Sequence, residues 1–371
     1  MIKRKKISFK KLKELLDPVL MENFFKKRYK RYYQGAENCH FLGIKRIKRF
    51  IGGKSISASY FLKLKIGDQK KIKIINGRAR QRLLTDENNP QRHFLVLKHL
   101  HSCGFGEDVP RPLDYIPSYN LLLYENIEGE ALQHKLIKNE VDVVLNFIPR
   151  IISWLKKLHQ LRIKDKRILL RDRKAETRES RHALFLVRKY YSKGLVFLRK
   201  TINKINSLWR KKKNLFLKKE NYSLCHYDVH FGNFLIDKQK LKVIDFSDAC
   251  FYDYFADLAC FLTQVESMLE YYVPSKVKII LPKIKKQIIN LYLGRQLTSE
   301  ESFRLKYFEI RRLVLMLANL IFVERDEKSK KKILDNFKKR IDSRLKKIDP
   351  VRSSAKPHSL KSHQAKPHLT A

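Results

Sequence analysis

The period of the hydrophobic pattern changes once along the chain, near Glu128-Gly129. Between residues 41 and 127, short runs alternate apolar and polar residues, as in Ser57-Ala-Ser-Tyr-Phe-Leu-Lys-Leu-Lys, which is typical of half-buried β-strands. Beyond it, apolar residues recur at helical spacing over long stretches, interrupted by a strand-like island from Leu224 to Phe246. A β-rich portion followed by a helix-rich portion predicts an α+β fold with two lobes.

These changes in pattern divide the chain into four predicted segments. We expect a basic N-terminal extension over 1–40, a mostly β lobe over 41–127, a mostly α lobe over 128–348 and a tail over 349–371. The tail is rich in Ser, Lys, Pro and His, a composition that predicts disorder. Within the α lobe, the clearest amphipathic helix is predicted from Val141 to Leu161.

The charge of the chain is strongly positive. Its 371 residues contain 82 lysines and arginines and 37 acids, a formal net charge of +45. A lysine-rich genome would raise Glu together with Lys, whereas acids are scarce here. The balance therefore favours an anionic partner, which is a nucleic acid, an anionic membrane surface or a phosphorylated substrate. Charge alone does not choose among them.

Cysteine usage and hydropathy indicate where the protein works. The five cysteines form no CxxC pair and show no metal-ligand spacing, which predicts buried thiols in a reducing cytoplasm. The longest apolar run, Leu313 to Val323, is eleven residues, too short for a membrane span of about 18. We therefore expect a cytoplasmic protein, soluble or attached peripherally to the inner face of the membrane.

The strand-like island carries the polar residues that suggest chemistry. Asp228 and Asn233 lie five positions apart across a loop that contains glycine, and Asp245 follows after an apparent hairpin with its turn at Lys238-Gln-Lys. Phosphate transfer from ATP needs a carboxylate to accept the proton of the acceptor hydroxyl, and oxygen ligands for Mg²⁺. An Asp on a loop, an Asn nearby and an Asp on the next strand supply those parts, whereas the alternative is turn-capping residues with no catalytic role.

The same stretch resembles the aminoglycoside phosphotransferase and choline kinase family. His226-Tyr-Asp-Val-His-Phe-Gly-Asn is similar to the family's HGDLHxGN, and Asp245-Phe-Ser-Asp-Ala to its DFGDA. The resemblance spans roughly 45–325 and implies a bilobal protein-kinase-like fold. It also implies that Asp228 is the catalytic base, that His226 supports it in the catalytic loop, and that Asn233 and Asp245 hold Mg²⁺. Contacts of His230 and Asp248 with substrate or metal stay open.

The resemblance is looser in the lobe over 41–127, which it makes the nucleotide-binding lobe. Gly52-Gly53 resembles the glycine-rich turn that approaches the ATP phosphates, and Lys73 is placed like the lysine of the third strand. Lys71 is a competing choice. Glu125 and Ile127 fall in the segment resembling the hinge, which implies that their backbones contact adenine.

Several positions depart from the family pattern. The glutamate that pairs with the lysine is replaced by His93 in the best register, with Glu87 as the other candidate. Tyr227 and Ser247 stand where the family has glycines. These departures affect nucleotide positioning and leave Asp228 and the two metal ligands in place.

The distribution of charge bears on the acceptor. Residues 162–219 contain 21 lysines and arginines and four acids, in the region where the family builds its acceptor site. A polycationic aminoglycoside would be repelled there. We expect an anionic or membrane-linked acceptor instead, such as a sugar phosphate or a glycolipid. The basic segment from Lys3 to Leu16, amphipathic in pattern, and the basic run after Trp209 are predicted to rest on an anionic leaflet.

The alternative function is a non-catalytic kinase-fold protein that binds nucleic acid or an anionic membrane through its basic surface. Non-specific RNA binding would depend steeply on salt. No RNA-binding motif is present, and a protein that had lost catalysis would be expected to lose Asp228, Asn233 or Asp245. The sequence therefore favours an enzyme.

Overall fold

The computed structural model describes residues 7–33, 38–52, 55–81, 90–161, 168 and 170–348. The chain forms two compact units. The first contains Met1–Glu176 and Asn214–Thr298, and the second contains Thr177–Lys213 and Ser299–Ala371. The hydrophobic pattern predicts one lobe over 128–348 and does not separate the second unit. The tail over 349–371 lies outside the described residues.

An antiparallel sheet forms the N-terminal part of the first unit. Its strands, in chain order, are β1 (Cys39–Gly52), β2 (Ser55–Ile66), β3 (Gln69–Arg80), β4 (Pro112–Ile116) and β5 (Leu121–Glu125). They are arranged in the order β1-β2-β3-β5-β4. Side chains alternate between the two faces of each strand, so one face of β2 buries Ala58, Tyr60 and Leu62 while the residues between them lie on the other face.

Helices near the N-terminus cover that buried face. They are α1 (Phe9–Lys13), α2 (Pro18–Lys26) and α3 (Tyr29–Tyr32). Leu12, Leu15 and Phe25 are almost fully buried against the sheet, and the hydroxyl of Tyr60 donates to the Leu15 carbonyl at 3.1 Å. The sequence predicts that the apolar face of this segment rests on a membrane. That prediction is wrong, because the protein's own sheet covers this face.

The rest of the first unit is mainly helical, as the sequence predicts. Its helices are α4 (Pro90–Ser102), α5 (Leu132–Ile137), α6 (Val141–His159), α9 (Lys213–Phe216), α10 (Phe255–Tyr272) and α11 (Val277–Leu293). Its short strands are β6 (Glu130–Ala131), β7 (Tyr222–Cys225), β8 (Phe234–Asp237), β9 (Lys240–Val243) and β10 (Cys250–Asp253). Helix α4 packs against β3, β4 and β5. Helix α6 ends two residues before the predicted boundary.

In the described part of the second unit the main helices are α7 (Arg173–Tyr190), which begins in the first unit, α8 (Leu195–Lys211), α12 (Ser299–Val323) and α13 (Glu327–Ile348). A buried ion pair joins the last two helices, with Arg344 Nε 3.2 Å from Glu309 Oε2. None of the helices in the described parts of the chain is long and apolar enough to cross a membrane.

Candidate active site

The predicted catalytic loop and the predicted metal-binding strand end form one hydrogen-bonded unit. Strands β8 and β9 make the expected hairpin, with Phe234 opposite Val243. Immediately beyond that pair, the Ile244 amide donates to the Asn233 carbonyl at 3.0 Å. The Asn233 side chain in turn donates to the Asp228 carbonyl at 2.9 Å. The structure therefore brings Asp228, Asn233 and Asp245 together.

His226 holds this loop through both of its ring nitrogens. Its Nδ1 lies 3.3 Å from the Asp228 amide and its Nε2 lies 2.9 Å from the Ile244 carbonyl. An amide can only donate and a carbonyl can only accept, so the hydrogen-bond network assigns the ring proton to Nε2. Because both nitrogens face the backbone, His226 acts as a positioning residue in this structure.

Asp257 anchors the same loop from the first turn of α10. The carboxylate is fully buried. Its two oxygens accept the amides of His226 and Tyr227, both at 2.7 Å, and Oδ2 also lies 3.1 Å from His159 Nε2. A buried amide without an acceptor costs about 1–3 kcal/mol, so one side chain stabilises two consecutive amides directly before Asp228.

Replacing Asp257 with alanine is expected to lower the free energy of unfolding by about 3–5 kcal/mol, because both amides lose their acceptor and His159 Nε2 loses the carboxylate. Urea unfolding monitored by circular dichroism measures this change. Asp142→Ala is the matched control, since Asp142 is an exposed acid in the first turn of α6; a change within about 0.5 kcal/mol is expected there. Equal losses in the two variants would contradict the anchoring role.

Two residues of the site have left-handed backbone conformations. Tyr227 has φ 65° and Asp245 has φ 60°, conformations that cost of order 1–3 kcal/mol in a bulky residue and cluster at functional sites. Packing supports Tyr227, whose ring lies 3.9 Å from the Arg171 guanidinium and edge-on to Tyr252. These contacts explain how tyrosine stands where the resembling family has glycine.

The cation that reaches Asp245 is Arg78 of β3. Its Nη1 lies 2.5 Å from Asp245 Oδ1. Burial opposes ionisation of Asp245, but the Arg78 charge, together with smaller effects that include a hydrogen bond from Ser247, holds the pKa of this carboxyl below its usual range. An arginine aimed at a predicted metal ligand is placed to contact the phosphates that such a metal would bind.

Lys73, the sequence-based choice for this role, lies elsewhere. It is exposed and pairs with Leu62 of β2, five residues before Arg78. An odd separation places the two side chains on opposite faces of the strand, about 16 Å apart along it. Lys71 shares the face of Lys73. Both lysines therefore lie away from Asp245, and the sequence did not predict Arg78 as the partner of this carboxylate.

His93 occupies the position expected for the glutamate of the small-lobe helix. The ring is buried between Tyr124 and Phe246, with centroid distances of 5.9 and 6.4 Å. Its Nδ1 has no hydrogen-bond partner among the residues that the structure describes. Burial lowers the pKa of His93 to about 3, so the side chain is neutral and cannot replace a glutamate. Glu87, the other candidate, lies outside the described residues.

The His93 environment predicts loss of stability in acid. The folded-state pKa lies below the unfolded value of about 6.5, so the unfolded chain binds more protons between pH 6.5 and 3 and stability falls as the pH falls through that range. In EDTA, His93→Leu is expected to gain roughly 1–3 kcal/mol of unfolding free energy at pH 4.5 relative to pH 8. The exposed His134→Leu is the control; identical pH profiles for His93→Leu and wild type would contradict the assignment.

A third carboxylate, that of Asp248, lies close to this unit. Burial raises its pKa, and so do the negative charges of Asp228 and Asp245. His230 also belongs to the group, with Nε2 3.4 Å from Asp228 Oδ2. Grouped carboxylate and amide oxygens are the donors that Mg²⁺ and Ca²⁺ prefer, and a divalent cation would relieve the repulsion among the carboxylates. The donor set therefore fits a divalent metal.

The remaining predicted nucleotide contacts are less defined. Gly52 ends β1 opposite Ser55, and Gly53 lies outside the described residues. Glu125 ends β5, and its amide donates to the Arg111 carbonyl at 2.9 Å. Ile127 follows in the irregular segment between β5 and β6. Contacts of these residues with phosphates or adenine stay predictions.

The sequence profile described as "Phosphotransferase enzyme family" (APH) matches residues 58–273, more than half of the chain and a range that includes every residue of the unit above. The chain belongs to this family. It is therefore an ATP-dependent phosphotransferase whose acceptors are hydroxyl groups. A comparison with the curated proteins found no match.

Solved structures support the kinase-like fold. An amicoumacin kinase, hAmiN, solved with AMP-PNP and Ca²⁺, aligns with a TM-score of 0.56 at 16% identity, covering 85% of this chain and 96% of that one. A choline kinase from Cryptosporidium parvum gives 0.56 at 14%, covering 91% and 99%. A Plasmodium vivax ethanolamine kinase gives 0.51 at 15%, covering 91% and 93%. At these identities the likeness establishes the fold alone.

Proposed function

We propose that this phosphotransferase uses ATP and Mg²⁺ to phosphorylate a hydroxyl of a sugar, a lipid-linked sugar or a similar acceptor that is anionic or membrane-associated. The observation that carries the catalytic part is the hydrogen-bonded unit of Asp228, Asn233 and Asp245. It contains the base and the oxygen ligands that phosphate transfer needs.

Each residue of the unit has a distinct proposed role. Asp228 accepts the proton of the acceptor hydroxyl, because its half-exposed carboxylate stands on a loop whose backbone is fixed by His226 and Asn233. Asn233 and Asp245 would hold Mg²⁺, with Asp248 close by. When bound, the ion neutralises charge on the ATP phosphates.

Arg78 is the proposed phosphate-binding residue of the sheet. In the structure its guanidinium is paired with Asp245, and a guanidinium binds phosphate oxygens as readily as carboxylate oxygens. The same sheet face carries a polar chain that leads to the segment after β5: Ser59 donates to Asn76 at 2.7 Å, and Asn76 donates to Asn126 at 3.0 Å. We place the nucleotide along this face.

The charge of the chain supports the acceptor class. Choline, the substrate named for one similar structure, is a cation, whereas this protein has a net charge of +45. Beside the catalytic loop, Arg171 stacks on Tyr227, the neighbour of Asp228. Cationic acceptors would be repelled and anionic ones attracted. The proposed location is the cytoplasm, at the inner face of the membrane.

Matched acceptor pairs test this proposal. We would measure ATP-dependent phosphorylation of a neutral hexose and its phosphate ester, a glycolipid with and without an anionic head group, choline, and an aminoglycoside. Higher kcat/KM for the anionic member of a pair is expected, and the preference should shrink as salt screens the charges. A preference for choline or the aminoglycoside would overturn the acceptor class and leave the reaction type intact.

A further inference from the structure

One end of the second unit brings together the termini of four helices. Helix α7 ends at Tyr190, where its ring meets that of Phe322 near the end of α12, with centroids 5.1 Å apart. The four residues that join α7 to α8 include Gly194, which packs against Leu334 of α13. Three residues join α12 to α13. Both turns therefore lie at the same end of this unit.

Large apolar side chains are exposed at this end. The exposed fractions are 80% for Val196, 65% for Val323, 56% for Phe185 and 48% for Phe322. Single exposed apolar residues are ordinary, but several at one end of a helical unit mark a surface that contacts something apolar.

Cations lie among these apolar side chains. Arg188 and Lys189 are exposed, and Lys189 Nζ lies 5.9 Å from the Phe185 ring and 5.2 Å from the Tyr190 ring. Residues 185–200 and 320–332 together contain ten lysines and arginines against three acids. We name the end patch by six of its side chains: Phe185, Arg188, Lys189, Val196, Phe322 and Val323.

The three acids form local contacts. Glu324 accepts the amides of Arg325 and Asp326, at 2.7 and 3.0 Å. Asp326 accepts the Ser329 amide at the start of α13, and Glu327 pairs with Lys330 at 3.2 Å. The patch therefore presents a positive, partly apolar surface.

We propose that the end patch docks this protein on an anionic lipid bilayer. Apolar side chains that enter the head-group region, together with cations attracted to anionic lipids, are the combination that holds peripheral proteins on membranes. A second copy of the chain would bring two positive patches together. The side chains of Val196 and Val323 can neither stack on a nucleobase nor hydrogen-bond to it, so binding of a nucleic acid would not bury these two valines in a specific contact.

This inference deepens the proposed function, since a bilayer is where a lipid-linked acceptor would be found, and it rests on that function only for the nature of the acceptor. Docking is measured without ATP. A protein that binds vesicles and transfers no phosphate would overturn the proposed function and leave the docking surface intact. A kinase that is active but does not bind vesicles would overturn the docking surface and leave the proposed function intact.

The test is co-sedimentation of the full chain with vesicles of phosphatidylcholine alone or with one third phosphatidylglycerol. Wild type should bind the anionic vesicles, less so as salt increases. The double variant Val196→Glu/Val323→Glu should weaken binding at least about tenfold, because each valine loses its transfer into the interface and gains a repelled charge. Arg188→Gln/Lys189→Gln should weaken it about fivefold per cation.

Matched controls separate this surface from general charge. Val19→Glu changes an equally exposed valine of α2, and Lys283→Gln/Lys286→Gln removes two exposed lysines of α11; both should leave vesicle binding within about twofold, since neither lies on the patch. Thermal melts check folding, and Val196→Ser/Val323→Ser repeats the test without added charge.

Four results would overturn the proposal: equal binding to neutral and anionic vesicles, no binding to either, end-patch variants that bind like wild type, and equal losses in the Val19→Glu control. A concentration-dependent dimer abolished by Val196→Glu/Val323→Glu would assign the patch to a second copy instead. Tight RNA binding lost in the same variant would assign it to nucleic acid.

Discussion

Asp228→Asn is expected to lower kcat for phosphate transfer by about 10³-fold, within the range for a positioned general base, while the affinity for ATP changes less than about threefold. The reason is structural. The backbone of Asp228, through its amide and carbonyl, carries the hydrogen bonds of the loop, so the amide side chain should leave the fold intact and remove only the proton acceptor. Rates with saturating ATP and a fluorescent-nucleotide titration measure the two quantities.

Asp237→Asn is the matched control for this substitution. Asp237 ends β8 beside the hairpin turn, opposite Lys240, about 13 Å along the strand from Asn233. Its variant should keep wild-type rates. An Asp228→Asn enzyme with wild-type kcat would show that another group takes the proton, and the role assigned to Asp228 would be withdrawn.

Arg78→Met is expected to lower kcat/KM for ATP by about 10–100-fold, the loss that follows from 1.5–3 kcal/mol for a hydrogen bond to a charged group. Arg78→Lys should recover part of it, since lysine keeps the charge but not the two-pronged geometry. Initial rates over a range of ATP concentrations measure the effect. In the free enzyme, removal of Arg78 also takes away a positive charge that favours ionisation of Asp245.

Lys73→Met provides the control for Arg78, because the two cations share β3 and face opposite sides of it. Wild-type kinetics are expected for this variant. If Lys73→Met lost activity and Arg78→Met did not, the nucleotide would contact the face that the N-terminal helices cover, and the proposed position of the phosphates would be wrong.

The catalytic loop and the hairpin were predictable because their information is local. Asp228, Asn233 and the turn at Lys238 all lie within twenty residues of one another, and the hairpin register then places Asn233 beside Ile244.

The register of β3 was not predictable. Alternation shows that two faces exist, but only the pairing with β2 and the cover of α1 and α2 decide which face Arg78 takes. The sequence holds only a weak indication of the answer: the small residues Gly77 and Ala79, on either side of Arg78, lie on the buried face, and Arg78 takes the opposite one.

The two-lobed fold followed from the change of period, whereas the division into two units did not. Helical periodicity identifies α8 and α12 one at a time, but their packing against each other joins segments that are far apart in the sequence. The prediction that the N-terminal segment rests on a membrane was wrong for a similar reason. Leu12 and Leu15 form an apolar stripe that fits a membrane or a sheet equally well in sequence, and the contact with Tyr60 decides for the sheet.

The most direct test of the account compares Mg²⁺-dependent ATP turnover of the wild type with that of Asp245→Asn, with Asp237→Asn beside them, on the best acceptor found. Wild-type turnover is expected to rise with Mg²⁺, Asp245→Asn to lose about 10²-fold or more, and Asp237→Asn to lose none. Equal Mg²⁺-dependent turnover in all three proteins would contradict the assignment of Asp245. Turnover by none of them, with tight and salt-sensitive RNA binding, would contradict the proposed catalytic function itself.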